Sequence, residues 1–224
     1  MIELVPILAV ETSDTVCGAC IYFGKEKYFS SKINNQYSHS EKIFELVETV
    51  LKHSGINKNE LKAIAVSSGP GSFTGLRIGF AAVKGLAQSL KIPVISVPTF
   101  EALAFQISIF NPDQSEFCIV NKVGKDELYF AKFQIKTNSY IFKEELKIIQ
   151  YSGLEELISG IKIFGNIDNI NSVSSGNFIR ISSPDPEYIA QWALYFGNAI
   201  NYSDIDFIEP NYIKEFVVKE KKHV

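Results

Sequence analysis

Apolar and polar residues alternate along this chain in two different periods. Ile7 to Thr12, Val16 to Phe23 and Tyr28 to Ile33 are short apolar runs, with Phe23-Gly-Lys25 as a turn between the last two. Three strands in such close order predict an antiparallel meander that opens a mixed sheet. The period then lengthens. Ile43, Phe44, Leu46, Val47, Val50 and Leu51 recur three and four residues apart, which predicts a helix ending at His53-Ser-Gly55. Ahead of it, Ser38-His-Ser-Glu41 has capping-box spacing: the Ser38 hydroxyl can accept from amide 41 and Glu41 can reach back. Leu61 to Ser67 reads as a buried strand and Gly69 to Gly75 as a loop. A helix follows over 73–90, a strand from Ile92 to Val97, and a third helix from a Thr99 cap to about Ile109.

The second half begins again with strands: Phe117 to Val123, Glu127 to Ile135 and Tyr140 to Ile149. A short helix over 154–159, strands at 162–164 and 178–182, and a helix introduced by Asp185-Pro186 and running to about Ala199 complete the pattern. Strands, helix, strand, helix thus occur twice, without any repeat of sequence. That order predicts an α/β protein of two lobes, residues 1–110 and 111–224, joined at the polar stretch Asn111-Pro-Asp-Gln-Ser115, with the last helix free to return to the first lobe.

Composition narrows the classes. The chain has 224 residues, 46% of them apolar, and a net charge of -3. That length buries a core as one domain or as two lobes of roughly 100 residues each. Disordered and collagen-like classes do not fit, and no apolar run approaches the ~20 residues of a bilayer span. The opening segment lacks a basic stretch and is read as a strand rather than a leader. Of the 22 basic residues only Arg77 and Arg180 are arginine, so an unaided grip on RNA is not expected. The mixed stretch Lys219-Glu-Lys-Lys222 reads as a solvated end. Three cysteines, an odd number, argue for a reducing compartment and hence the cytoplasm.

The stretch Ser67-Ser-Gly-Pro-Gly-Ser-Phe-Thr-Gly-Leu-Arg-Ile-Gly79 holds the most chemistry. It follows a strand and opens a helix that Ser72 can cap; its glycines let another group approach, and free amides at a helix start favour an anion. It is not a P-loop, because no Gly-Lys-Ser/Thr closes it, and the dinucleotide spacing fails too. A tight strand-to-helix turn is the other reading. Within the helix Gly75, Gly79, Ala82 and Leu86 form a small-residue stripe, and Ala81, Gly85 and Ala87 lie nearby. Mid-helix glycine costs about 1 kcal/mol against alanine, so close packing is expected, either on the chain's own sheet or on a helix of another chain. Glu11-Thr-Ser13 ends the first strand with a carboxylate and hydroxyls. Cys17 and Cys20 lie three apart in a strand, so they face opposite sides and make no zinc site. The histidines, His39, His53 and His223, have no metal-ligand spacing, so no metal centre is expected.

Taken in order, Leu8-Ala-Val-Glu-Thr-Ser13, His39-Ser-Glu41, Gly69 to Gly79 and the late Pro210-Asn-Tyr212 resemble the TsaB family, the dimerisation subunit of the bacterial tRNA threonylcarbamoyladenosine system. The resemblance implies an actin-like (ASKHA) fold of two related lobes, each a mixed sheet flanked by helices. It implies a noncatalytic scaffold that acts through a TsaD-like subunit, which transfers threonylcarbamoyl to N6 of adenosine 37 in tRNAs reading ANN codons, and a TsaE-like ATPase. It places ATP and metal on those partners and tRNA only indirectly on this chain. A homodimer is expected when the chain is alone. The implied partner face comprises Ser38, His39, Glu41, Ile43, Leu46, Val47, Val50, Gly75, Gly79, Ala82 and Leu86. Glu11, Thr12, Ser13, Gly69, Gly71, Ser72, Thr74 and Arg77 would form a vestigial nucleotide or anion loop. The chain departs from the family where Asn121-Lys122-Val123 stands for Asp-Ala-Arg, where Glu11 stands for aspartate, and where Lys214 stands for an arginine. The alternative from the same residues is an actin-like small-molecule phosphotransferase that holds ATP at Glu11, Thr12 and the Gly69–Thr74 loop.

Overall fold

The computed structural model describes residues 4–34, 39–158, 160–167 and 177–213. Ser38 of the expected capping box, Lys214, His223 and the 219–222 stretch lie outside the described residues.

Two mixed sheets organise the chain. The first joins β1 (Ile7–Glu11), β2 (Val16–Gly24), β3 (Lys27–Asn34), β4 (Ala63–Gly69), β5 (Val94–Pro98) and β11 (Ala199–Ile200) in the order β11-β5-β4-β1-β2-β3. β1 runs antiparallel to β2 and parallel to β4. The second joins β6 (Glu116–Lys122), β7 (Glu127–Ile135), β8 (Tyr140–Gln150), β9 (Lys162–Gly165) and β10 (Phe178–Ile179) in the order β10-β9-β6-β7-β8. β6 repeats the role of β1, antiparallel to β7 and parallel to β9. The meander-first pattern legible in the sequence is thus present in both lobes, and the fold is the two-lobed actin-like α/β arrangement.

Helices fill three layers around these sheets. On one face of the first sheet lie α1 (His39–Ser54) and α2 (Phe73–Leu90): Ile43, Val47, Phe80 and Val83 pack on Leu8, Val10, Cys17 and Ile21. On its other face lie α3 (Thr99–Phe110) and α5 (Pro186–Phe196), with Phe105, Ile189 and Trp192 against Ala9, Cys20 and Ile95. Covered on both faces, β1 and β4 are buried throughout and read as continuous apolar runs. Cys17 and Cys20 fall into these two different clusters, as strand alternation requires. α3 also presents Phe100, Leu103 and Ile107 to the second sheet, so it is apolar nearly all round. The short α4 (Leu154–Leu157) caps the outer face of that sheet through Leu154.

The chain crosses between lobes more than once. After the second sheet it returns to the first with α5 and β11. The Tyr140 hydroxyl, at the start of β8, donates to Glu101 Oε2 on α3 at 2.6 Å and accepts from Trp192 Nε1 on α5 at 2.9 Å. Asn166 Nδ2 donates across the cleft to Asp14 Oδ2 at 3.0 Å.

Several boundaries differ from the sequence expectation, each for a local reason. α5 stops at Phe196 because Ala199 and Ile200 leave to pair with β5. The last strand of the second sheet ends at Ile179, where the Ile181 amide turns back to its carbonyl. Thr99 is the first helical residue rather than the cap: the cap is Pro98, and the Thr99 hydroxyl accepts from the Gly69 amide at 3.1 Å. Asp185 occupies the cap of α5, but its carboxylate is bonded by Lys32 and Gln106 instead of the helix amides.

Candidate functional site

The β1–β2 turn and the loop before α2 meet, and both are stitched shut. Glu11, at the end of β1, is fully buried; its Oε1 accepts from the Ser13 amide and hydroxyl and its Oε2 from the Ser67 hydroxyl on β4. Burial away from water pushes the Glu11 carboxyl up to about 7. The Ser13 and Ser67 bonds pull it back in part, and the neighbouring Asp14 carboxylate raises it further. Ser72 caps α2 as expected, its hydroxyl accepting from the Gly75 amide at 3.2 Å. Its own amide donates to the Ser13 carbonyl at 2.6 Å.

The glycines of the loop serve this closure. A Cβ on Gly71 would lie 2.9 Å from Ser13 Cβ, and one on Gly75 would overlap the Thr12 carbonyl oxygen. Gly69 has φ +106 and a Cβ there would meet the Asn211 carbonyl at 2.8 Å, because the irregular segment at 210–213 crosses above it with the Asn211 amide bonded to Ser68 O. Glu11, Thr12, Ser13, Gly69, Gly71 and Ser72 are therefore brought together, but around one another. Within the loop the Ser13 carbonyl takes the Ser72 amide, and the Thr12 and Asn211 carbonyls lie close over Gly75 and Gly69. The Thr12 hydroxyl is buried, has no hydrogen-bond partner among the described residues and faces Gly79. Thr74 and Arg77 stand outside this knot, exposed on α2.

The helix pair has two faces, and the expected partner residues mostly lie on the inner one. Ile43, Leu46, Val47 and Val50 are buried on the sheet. Gly75 and Gly79 lie against Thr12, Ala82 is buried, and Leu86 is half-buried. His39 is buried too, its Nε2 3.2 Å from the Val16 carbonyl. Of the expected set that is described, Glu41 alone is exposed. The physical reason is that the sheet claims the centre of the apolar arc, where Leu76, Phe80, Val83 and Ala87 also sit. The outer face is different. Thr74, Ile78, Ala81, Gly85 and Gln88 recur at four and three along α2, all exposed but the half-buried Ile78. Phe44 on α1 is 51% exposed, between exposed Glu41 and Glu48. A Cβ on Gly85 would touch nothing within 4 Å among the described residues.

The other flank of α2 is wrapped by the end of the described chain. Lys84 Nζ donates to the Asp206 carbonyl at 3.2 Å, and Ile205 and Ile208 enter the core under α2. The Tyr212 ring leans on Phe73, centroids 5.0 Å apart. The Arg77 guanidinium lies 3.7 Å above the Phe73 ring, and its Nε donates to the Tyr212 hydroxyl at 3.3 Å. This cluster joins two motifs that the sequence showed separately.

Comparison with known proteins fits this geometry. A Buchnera aphidicola (subsp. Baizongia pistaciae) protein named tRNA threonylcarbamoyladenosine biosynthesis protein TsaB is 30% identical over 192 residues, 82% of this chain and 86% of its own length. The chain belongs to the TsaB family. A TsaB protein of Haemophilus influenzae is 34% identical over 127 residues, 56% of this chain; that match spans about half of the relative, 52%. A family model described as TsaD, tRNA N6-adenosine threonylcarbamoyltransferase, matches residues 30–155, which include α1, α2 and α3. The solved structure of YeaZ from Pseudomonas aeruginosa superposes with a TM-score of 0.75 over 92% of this chain and 99% of that one, at 20% identity. This TsaB-family chain thus has the fold of that structure. Among its described residues no three His, Cys, Asp or Glu side chains converge as a metal site would need, and no helix is long and apolar enough to cross a membrane.

Sequence reasoning missed the outward stripe of α2 and the Arg77–Phe73–Tyr212 cluster. The first was within reach. Leu76, Phe80, Val83 and Ala87 mark the sheet side of α2, and the stripe at 74, 78, 81 and 85 is their opposite. The second had no signal in spacing, since 135 residues separate Arg77 from Tyr212.

Proposed function

We propose that the chain serves tRNA threonylcarbamoyladenosine biosynthesis as a noncatalytic subunit, docking a TsaD-like catalytic subunit through the outer face of α1 and α2. The observation that carries this reading is Gly85. It sits mid-helix and exposed, and among the described residues nothing lies within 4 Å of a Cβ built there. A glycine there weakens the helix by about 1 kcal/mol against alanine without a local benefit, which suits a backbone that another helix approaches closely. Phe44, Ile78 and Ala81 supply an apolar seam beside it, and Glu41 and Glu48 a polar rim. The match of a TsaD family model to the region that contains these helices supports a partner of related fold, since like helix pairs pack naturally about a pseudo-twofold axis.

The absence of a catalytic role is supported by the knot at Glu11. A phosphotransferase of actin-like type would need the β1–β2 turn and the glycine loop open to phosphate. Here the Ser13 carbonyl takes the Ser72 amide, and both Glu11 oxygens are engaged. We accordingly assign ATP and metal to the partner subunits, include a TsaE-like ATPase in the assembly, and place it in the cytoplasm with tRNA held mainly by others. Alone, the chain would cover the same face with a second copy.

The test is co-purification with the TsaD-like subunit of the same organism. Ala81→Trp, which fills the seam from outside, is expected to abolish the complex and leave the melting temperature of the isolated chain unchanged. Wild-type assembly by that variant would refute the docking face. Calorimetry of the isolated chain with Mg-ATP is expected to show no heat of binding, and tight binding with turnover would favour the phosphotransferase reading.

A further inference from the structure

Arg77 is one of only two arginines in the chain, and it is exposed. Exposed arginines ordinarily sample many rotamers. This one is held at three points: its stem belongs to α2, its guanidinium lies on the Phe73 ring, and its Nε is bonded to the Tyr212 hydroxyl. Among the described residues its two terminal nitrogens have no hydrogen-bond or ion-pair partner. A planar fork fixed by its inner nitrogen, with both outer nitrogens available, matches the two oxygens of a carboxylate. The rotamer entropy that an arginine usually loses on binding is already lost here.

The surroundings select the kind of acid. Arg77 adjoins Ile78 and the seam at Ala81, so its ligand arrives as part of an apolar surface. Ser40, Thr74 and Ile78 line one pocket together with Asp14, which puts the N-terminal ends of α1 and α2 side by side and already sets one carboxylate against them. The exposed Glu41, Glu45 and Glu48 of α1 and the net charge of -3 oppose a polyphosphate backbone but tolerate one paired carboxylate.

We propose that Arg77 is a preset receptor for a carboxylate on the protein surface that docks against α1 and α2, with Phe73 and Tyr212 as its positioning residues. The inference rests on the docking face proposed above. It adds a reason for the segment at 210–213 to return to α2: that segment sets the geometry of an interface arginine.

The experiment measures the dissociation constant of the full-length chain for the full-length TsaD-like subunit, over a series of salt concentrations. Arg77→Ala is expected to weaken binding roughly 10- to 100-fold and to flatten its salt dependence. Arg77→Lys keeps the charge but not the fork, and falls close to Arg77→Ala. Tyr212→Phe frees the guanidinium and weakens binding by a smaller factor, and it adds nothing in the Arg77→Ala background. Circular-dichroism melts of each variant should overlay the wild type, because Arg77 is exposed. Binding by Arg77→Ala equal to wild type, while Ala81→Trp abolishes it, would overturn the receptor and leave the docking face standing. Wild-type binding by Ala81→Trp would remove the docking face itself. A loss confined to the affinity of the assembled complex for tRNA would assign the guanidinium to a phosphate and equally overturn the proposal.

Discussion

Replacing Glu11 by glutamine tests the electrostatics of the knot between β1 and the α2 loop. Glu11 is fully buried, and the groups bonded to its carboxylate are hydroxyls and an amide, with no cation among them. Its pKa rises from an ordinary 4.5 to about 7, mainly through burial. In the unfolded chain the carboxyl ionises near 4.5, while the folded chain holds the proton until about 7. Between those values the folded state binds more protons, so stability must fall as pH rises. The gap corresponds to about 3 kcal/mol at 1.36 kcal/mol per pH unit. The loss is absent below pH 4.5 and complete above about 7. Glutamine cannot ionise, yet its carbonyl can accept from Ser13 and its amide can donate to Ser67. Urea unfolding, followed through the fluorescence of Trp192, would be measured for both proteins from pH 4.5 to 8. The stability of Glu11→Gln relative to wild type should rise by about 3 kcal/mol across that range, since the other titrating groups cancel in the difference. A difference that does not change with pH would refute the reasoning, and a change of opposite sign would show that the hydrogen bonds outweigh burial.

Other outcomes follow from packing. Gly75→Ala forces a methyl onto the Thr12 carbonyl, so the isolated chain should lose about 2 kcal/mol or more, read as a lower urea midpoint. Gly85→Ala meets open space and should stabilise the isolated chain by up to about 1 kcal/mol while weakening assembly with the TsaD-like subunit; unchanged assembly would count against a close helix approach there. Tyr140→Phe removes the hydroxyl shared by Glu101 and Trp192, and about 1–3 kcal/mol should be lost on unfolding. Phe44→Ser, at a half-exposed ring, should leave the melting temperature nearly unchanged yet reduce co-purification.

Much of the architecture was legible in the chain, because hydrophobic period reports directly on burial. The two meanders, the helices at 39–54, 73–90 and 99–110 and the Ser72 cap follow from apolar spacing and one hydroxyl. Direction was harder to read. α2 carries small residues on two sides, and spacing alone does not say which side the sheet takes. Gly75 and Gly79 were expected at a partner face, yet they make room for Thr12 of the same chain. Thr99 and Asp185 look like caps locally but spend their oxygens on Gly69, Lys32 and Gln106, partners 30 to 153 residues away. Contacts at that distance leave no mark in local pattern. The Tyr140, Glu101 and Trp192 network was invisible for the same reason.

The Ser13 carbonyl on the cap of α2 has a consequence for the whole molecule. A helix N-terminus that waits for a phosphate defines two populations, empty and filled, and a ligand shifts the balance by its preference for one. Here the residue ahead of the helix is tied through its own amide to the turn after β1, while its hydroxyl holds the Gly75 amide. The start of α2 is thereby anchored at both ends of its cap, to the sheet edge behind it and to the first turn ahead of it. A subunit docking on the face proposed above would spend little of its binding free energy on ordering this end of the helix.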